Sequence, residues 1–260
     1  MPEWSEHAII LSSRPHGENN AVVSLFTPSK GRHAGLVYAA SGKSKRGTIE
    51  AGNHVQASWR ARLDEQLGVF SLELETSPSA FVLDNPLRLA ALASLCALID
   101  QTLPERVPHE QLYTATLALL DVIRLSEADT DWLPYYVRWE MALLSQLGFG
   151  LALDKCAVTG ETDSLVFVSP RSGHAVTRQG AGKFALRMLA LPSFLVDGGA
   201  GNMLEHDNSQ SEIQPEHPFS EGLALTGHFL ASRIFSPIDK PLPPARLRLS
   251  DLVSKHYNDT

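Results

Sequence analysis

Cysteine is nearly absent: Cys96 and Cys156 are the two in 260 residues. That is too few for a disulfide scaffold and in keeping with a reducing compartment. No run of about eighteen uncharged apolar residues occurs, so no membrane-spanning helix is expected. The opening Met1-Pro2-Glu3-Trp4-Ser5-Glu6 is acidic, with no basic segment followed by an apolar one, and no secretory leader is expected. A cytoplasmic protein follows as the expectation.

Motifs for catalysis are missing too. Ten histidines are present, yet no His-x-x-x-His or Cys-x-x-Cys occurs. Spacing along the chain therefore offers no set of three protein ligands for a catalytic zinc. No Gly-x-Ser-x-Gly nucleophile elbow occurs either. Gly42-Lys43-Ser44 resembles the end of a phosphate-binding loop, but Val37 stands where that loop needs its first glycine. No catalytic residue, cofactor or metal site is expected. Scattered residues can still converge in space, which leaves a metal-dependent hydrolase as an alternative.

An overall excess of positive charge is also lacking, at a net charge of -7. The distribution is uneven. From Arg14 to Arg62, eight Lys or Arg face only Glu18 and Glu50, a balance of +6. From Thr76 to Lys155, ten acidic residues face five basic ones, a balance of -5. A local basic field attracts a polyanion whatever the total.

The basic segment reads as short strands: Ala8–Leu11, Ala21–Phe26, Arg32–Tyr38, His54–Arg62 and Leu67–Glu75. The last alternates Phe70, Leu72 and Leu74 with Ser71, Glu73 and Glu75. Arg14-Pro15-His16-Gly17 and Pro28-Ser29-Lys30-Gly31 read as turns, and Ser41–Gly47 as a basic loop. Five short strands in this space suit a small closed barrel of the OB-fold type. Beyond it the period becomes helical. Asn85 and Pro86 open a helix with Leu87, Ala91, Leu95 and Leu98 on one face, and Cys96 within it is read as core. Pro108 and Asp131 open two more, the last ending at Gly148; Ser220–Phe235 and Leu249–His256 read as further helices. The stretch 197–217, with five acidic residues and no Lys or Arg, reads as a mobile surface loop.

On a barrel of this kind, Arg14, Lys30, Arg32, Lys43, Lys45, Arg46, Arg60 and Arg62 are candidate phosphate contacts. Single-strand binding also needs flat partners for unstacked bases. Of the available rings, Phe26 and Phe70 read as core, while Tyr38 and Trp59 are the candidates to face nucleic acid. Another OB-fold module directed at RNA, or an adaptor binding only proteins, would account for the same pattern.

Several segments resemble the bacterial RecO family of DNA repair proteins. They are Trp4–Leu11, Arg14-Pro15-His16-Gly17-Glu18, Leu25–Arg32, Arg138-Trp139-Glu140 with Leu143-Leu144 and Leu147-Gly148-Phe149, Leu153–Cys156, and Phe167–Gly173. The resemblance implies an α+β multidomain protein: an OB-fold β-barrel (1–80), a helical domain (81–152), a degenerate zinc-finger-like lobe (153–184) and C-terminal helices completing the helical domain (185–260). Many members carry two Cys-x-x-Cys pairs in that lobe. Here the four positions fall on Cys156, Thr159, Thr177 and Gly180, so a zinc-less member with no stoichiometric metal is expected.

The resemblance further implies a mediator rather than an enzyme. It would bind single- and double-stranded DNA, anneal complementary strands, act with RecR, and help load RecA in a process linked to RecF. It would contact the C-terminal tail of the single-stranded DNA-binding protein through the helical region, where Arg124 and Arg138 are candidates to pair a carboxylate. Its place would be the bacterial cytoplasm, with the nucleoid during repair.

Overall fold

The computed structural model describes residues 1–196 and 217–258. The acidic stretch read as a mobile loop lies outside the described residues except for His217. By contacts the chain forms two units, Met1–Trp132 with Pro243–Leu249 and Leu133–Leu242 with Ser250–Thr260.

The first unit begins with β1 (Glu3–His16), β2 (Asn20–Thr27), β3 (Gly31–Val37), α1 (Lys43–Thr48), β4 (His54–Arg60) and β5 (Val69–Thr76). The strands close into a barrel in the order β1-β2-β3-β5-β4. β3 and β5 meet in parallel, at Leu36 and Val69; the other neighbours are antiparallel. β1 is long because it serves two neighbours, β4 from Glu3 to Ile9 and β2 from Ile9 to His16. A register shift between Ile10 and Ser12 falls where it changes partner, as bulges do at barrel corners. Ala8, Ile10, Val23, Leu25, Val55, Ala57, Trp59 and Phe70 fill the interior.

The basic loop read over Ser41–Gly47 is instead largely the short helix α1. Six residues are too few to show a helical period. Its anchor is Ile49, buried in the barrel core. The buried Asn53 side chain donates to the carbonyls of Gly47 (2.7 Å) and Thr48 (3.2 Å), groups that a helix end leaves without partners.

Three helices follow: α2 (Pro78–Val82), α3 (Pro86–Thr102) and α4 (Glu110–Leu125). Asn85 caps α3 as expected, its side chain accepting from the amides of Leu87 and Arg88. Side chains then fasten α3 and α4 to the barrel. Asp100 accepts from Ser12 Oγ (2.9 Å) and Ser24 Oγ (2.7 Å), and Tyr113 meets Phe26 edge-on at 5.5 Å. Cys96 is buried, which pushes its thiol up to about 12; it is an inert core residue.

The second unit contains α5 (Leu133–Gln146), a small sheet of β6 (Leu165–Val168), β7 (Ala175–Thr177) and, after α6 (Arg178–Ala181), β8 (Leu189–Ala190), followed by α7 (Pro218–Phe229). Thr226 of α7 donates to the buried Glu140 of α5 at 2.5 Å. α8 (Pro244–Asn258) is about twice as long as the Leu249–His256 segment read from the sequence. Arg246 and Arg248 interrupt its apolar stripe there. No helix among the described residues is long and apolar enough to cross a membrane.

Candidate nucleic-acid interface

A groove of about 730 Å³ opens on the barrel, lined from β1 by Trp4, from β4 by Trp59 and Arg60, from β5 by Phe70, and by Tyr38 and Lys45 beside the end of β3. A second hollow of about 390 Å³ shares Tyr38, Arg60 and Val69 with it and reaches Arg62. Tyr38 is 53% exposed. Lys45 sits on α1, and its Nζ donates to the Tyr38 carbonyl at 2.8 Å. One groove thus has an exposed aromatic ring, Tyr38, and two cations, Lys45 and Arg60, in its lining. This suits a strand with unstacked bases and a charged backbone.

Two candidates prove to be structural. Trp59 is only 2% exposed and its indole N–H donates to the Leu67 carbonyl at 3.0 Å. It forms the groove's floor rather than a free stacking platform. Arg32 donates through Nε to the Leu103 carbonyl (2.8 Å) and lies 3.6 Å from Asp100 and 3.3 Å from Glu105. Its guanidinium ties the barrel to the segment after α3.

The other cations are spread around the barrel. Arg14 is exposed on the far half of β1, opposite Val22, and Lys30 is half-buried in the β2–β3 turn. Lys43 is exposed at the first residue of α1. Arg46 lines a different hollow of about 430 Å³, with Pro15, Glu18 and Glu50.

Trp4, available among the rings but given no role from the sequence, and Arg106, absent from the sequence reading, both pack against Trp59. Trp4 is half-buried, stacks on Trp59 at 6.1 Å and meets Phe70 edge-on. Arg106 lies 5.8 Å from the Trp59 ring and donates to the carbonyls of Asp64 and Gln66. It falls in the acidic part of the chain, where a charge count conceals it. Among these rings His33 is 4% exposed, with neither ring nitrogen hydrogen-bonded. Burial, then the positive charges of Arg106 and Lys30, lower it to about 4, so it is neutral at pH 7.

In the lobe, the four positions Cys156, Thr159, Thr177 and Gly180, where the resemblance implies two Cys-x-x-Cys pairs, come together. Cys156 Sγ accepts from the amides of Thr159 (3.4 Å) and Thr177 (3.3 Å), and a Cβ at Gly180 would sit 3.0 Å from it. One thiol, two hydroxyls and a glycine do not fit a structural zinc, which takes four thiolate or imidazole ligands. Burial pushes the Cys156 thiol up, but hydrogen bonds from Thr159 and Thr177 outweigh it and hold it at about 6. Amides and hydroxyls do here what a cation does elsewhere.

Of the two partner candidates, Arg124 lies over the exposed Phe81 ring at 5.8 Å and pairs with Asp121 at 3.1 Å. Arg138, in the second unit, is half-buried and donates to the Phe194 carbonyl.

Comparison with known proteins covers nearly the whole chain. The family model "Recombination protein O N terminal" covers residues 1–77, and "Recombination protein O C terminal" covers 83–240. The DNA repair protein RecO of Rhodospirillum centenum is 47% identical over 257 residues, 98% of this chain and 96% of that protein. Its counterpart in Rhodospirillum rubrum is 43% identical over 251 residues, 95% of each chain. That of Cereibacter sphaeroides is 40% identical over 256 residues, 98% of this chain and all of the relative. With both halves matched in order, the chain belongs to the recombination protein O family.

Proposed function

We propose that this protein is a DNA repair and recombination mediator that binds single- and double-stranded DNA and anneals complementary strands without covalent chemistry. The observation that carries this reading is the groove in which exposed Tyr38 sits with Lys45 and Arg60. Neutralising phosphates weakens the repulsion between two strands, and a flat ring holds a base apart until it finds its partner. The names of the relatives, all DNA repair protein RecO, support the same reading.

Its barrel and helical segments act as separate modules: residues 1–80 bind nucleic acid, and the helices bind proteins. DNA coated by the single-stranded DNA-binding protein hides its phosphates, so a second contact must bring the mediator to it. Arg124 beside exposed Phe81 offers a cation and an apolar ring to the acidic, apolar tail of that protein. Two linked weak contacts raise the local concentration of each. RecR would be the partner in loading RecA, with RecF in the same process, in the cytoplasm and at the nucleoid.

The test is an annealing assay with two labelled complementary oligonucleotides at low salt, run in parallel with RNA of equal length. Purified protein is expected to raise the annealing rate of DNA well above the spontaneous rate and to favour DNA over RNA. No acceleration would sink the mediator reading. Equal or stronger action on RNA would point to an RNA-directed OB-fold module.

A further inference from the structure

One cluster of metal-ligating side chains gathers on the barrel: His7 of β1, His54 of β4 and Glu75 of β5. His7 Nδ1 lies 2.9 Å from Glu75 Oε1, and His54 Nδ1 lies 3.1 Å from Glu75 Oε2. Their ligand atoms all fall within 4.8 Å of one another. The two imidazole rings are nearly parallel, 21° apart in plane and 5.7 Å apart in centre.

The barrel brings them together in a specific way. β4 runs between β1 and β5, and His54 stands opposite Ile9 on one side and Thr76 on the other. The ladder then passes from the His54–Thr76 pair to Val55–Leu74, so Glu75 is the extra residue of a bulge. Bulges re-aim side chains, and this one directs Glu75 to both histidines. On the far side of the His54 ring, Nε2 lies 3.1 Å from the Tyr113 hydroxyl. An outer partner on the second nitrogen is how metal-binding histidines are oriented.

We propose that His7, His54 and Glu75 form a three-ligand site for a divalent transition cation of the zinc class, with a fourth position open to solvent. Two imidazoles and one carboxylate are the donor set such cations favour, whereas calcium and magnesium call for oxygen ligands throughout. With side-chain exposures of 61% for His7 and 31% for Glu75, the site is open to solvent. The bound cation cross-links β1, β4 and β5 and stabilises the folded barrel by mass action. The expectation of a metal-free chain rested on the lobe positions and on spacing along the sequence. Neither registers ligands delivered by three different strands.

The experiment uses the full chain, stripped with chelator and titrated with Zn²⁺ alone by calorimetry, with the melting temperature followed in parallel. One Zn²⁺ per chain should bind and raise the melting temperature. His7→Ala and Glu75→Gln should each weaken that binding by about tenfold or more, since loss of even an outer partner costs that much. Both residues are exposed enough for the variants to fold, which far-ultraviolet circular dichroism checks. Cys156→Ser should bind Zn²⁺ as the parent does. Absence of Zn²⁺ binding, binding unaltered in both barrel variants, or loss confined to Cys156→Ser would overturn the proposal.

Discussion

Lowering the pH from 6.5 to 4 should cost the folded protein about 3 kcal/mol through His33 alone, and His33→Leu should remove that part of the loss. Burial, then Arg106 and Lys30, lower this histidine to about 4. The unfolded chain takes up the proton near 6.5. Between those values the unfolded state binds more protons than the folded one, so stability falls as pH falls. It is fully retained above 6.5. At roughly 1.4 kcal/mol per pH unit the full interval is worth about 3.5 kcal/mol, and half-titration at each end reduces this to about 3 kcal/mol. His33 has no hydrogen bond to lose, so an aliphatic side chain of similar size should be tolerated at pH 7.5 within about 1.5 kcal/mol. Urea unfolding of both proteins at a series of pH values, followed by tryptophan fluorescence, measures the difference. Comparison with the variant isolates the contribution of His33. Parallel loss of stability in parent and variant would show that His33 is not held neutral.

Gly31→Ala should destabilise the protein by about 3 kcal/mol or more, well beyond Gly17→Ala. Both glycines have positive φ, +62° at Gly31 and +65° at Gly17. A methyl group at either therefore meets left-handed backbone strain of about 1–2 kcal/mol. The surroundings separate them. A Cβ at Gly17 has no atom within 4 Å, whereas at Gly31 it would lie 1.9 Å from the Val107 carbonyl oxygen. That oxygen belongs to a backbone segment held by the Arg106 amide donating to the Arg32 carbonyl at 2.8 Å, so it cannot rotate aside as a side chain would. The β2–β3 turn would have to part from the segment leading into α4. Thermal melts of the two variants decide it; equal losses would mean that strain, not this contact, sets the cost.

The barrel is legible wherever alternation is clean, as in β5. β1 runs further than its apolar core suggests, because Pro15 reads as a turn yet stands in register opposite Ala21. The orientation of Trp59 is also written in the sequence: it shares its parity with Val55 and Ala57, while Arg60 shares the exposed parity of Ser58. Arg32 is different. Its partners Asp100, Leu103 and Glu105 lie some seventy residues away, and only the packing of α3 on the barrel reveals them. In the lobe the order of positions suffices to identify four places that meet around one sulfur. The His7, His54 and Glu75 cluster depends on strand order and a bulge, and local pattern carries neither.

The claim that the barrel groove holds the nucleic acid is tested most directly by a salt series. Anisotropy of a labelled single-stranded DNA would be measured for the parent, for Tyr38→Ala/Lys45→Ala/Arg60→Ala, and for Arg14→Ala as a control outside the groove. Each lost phosphate contact on a single strand should flatten the slope of log affinity against log salt by about 0.7. Losing Lys45 and Arg60 should then change it by about 1.4, and losing the Tyr38 ring should weaken binding at every salt by about 1–3 kcal/mol. Both effects are expected in the triple variant and neither in Arg14→Ala. Parent-like affinity and slope in the triple variant, with the loss falling on Arg14→Ala instead, would contradict it.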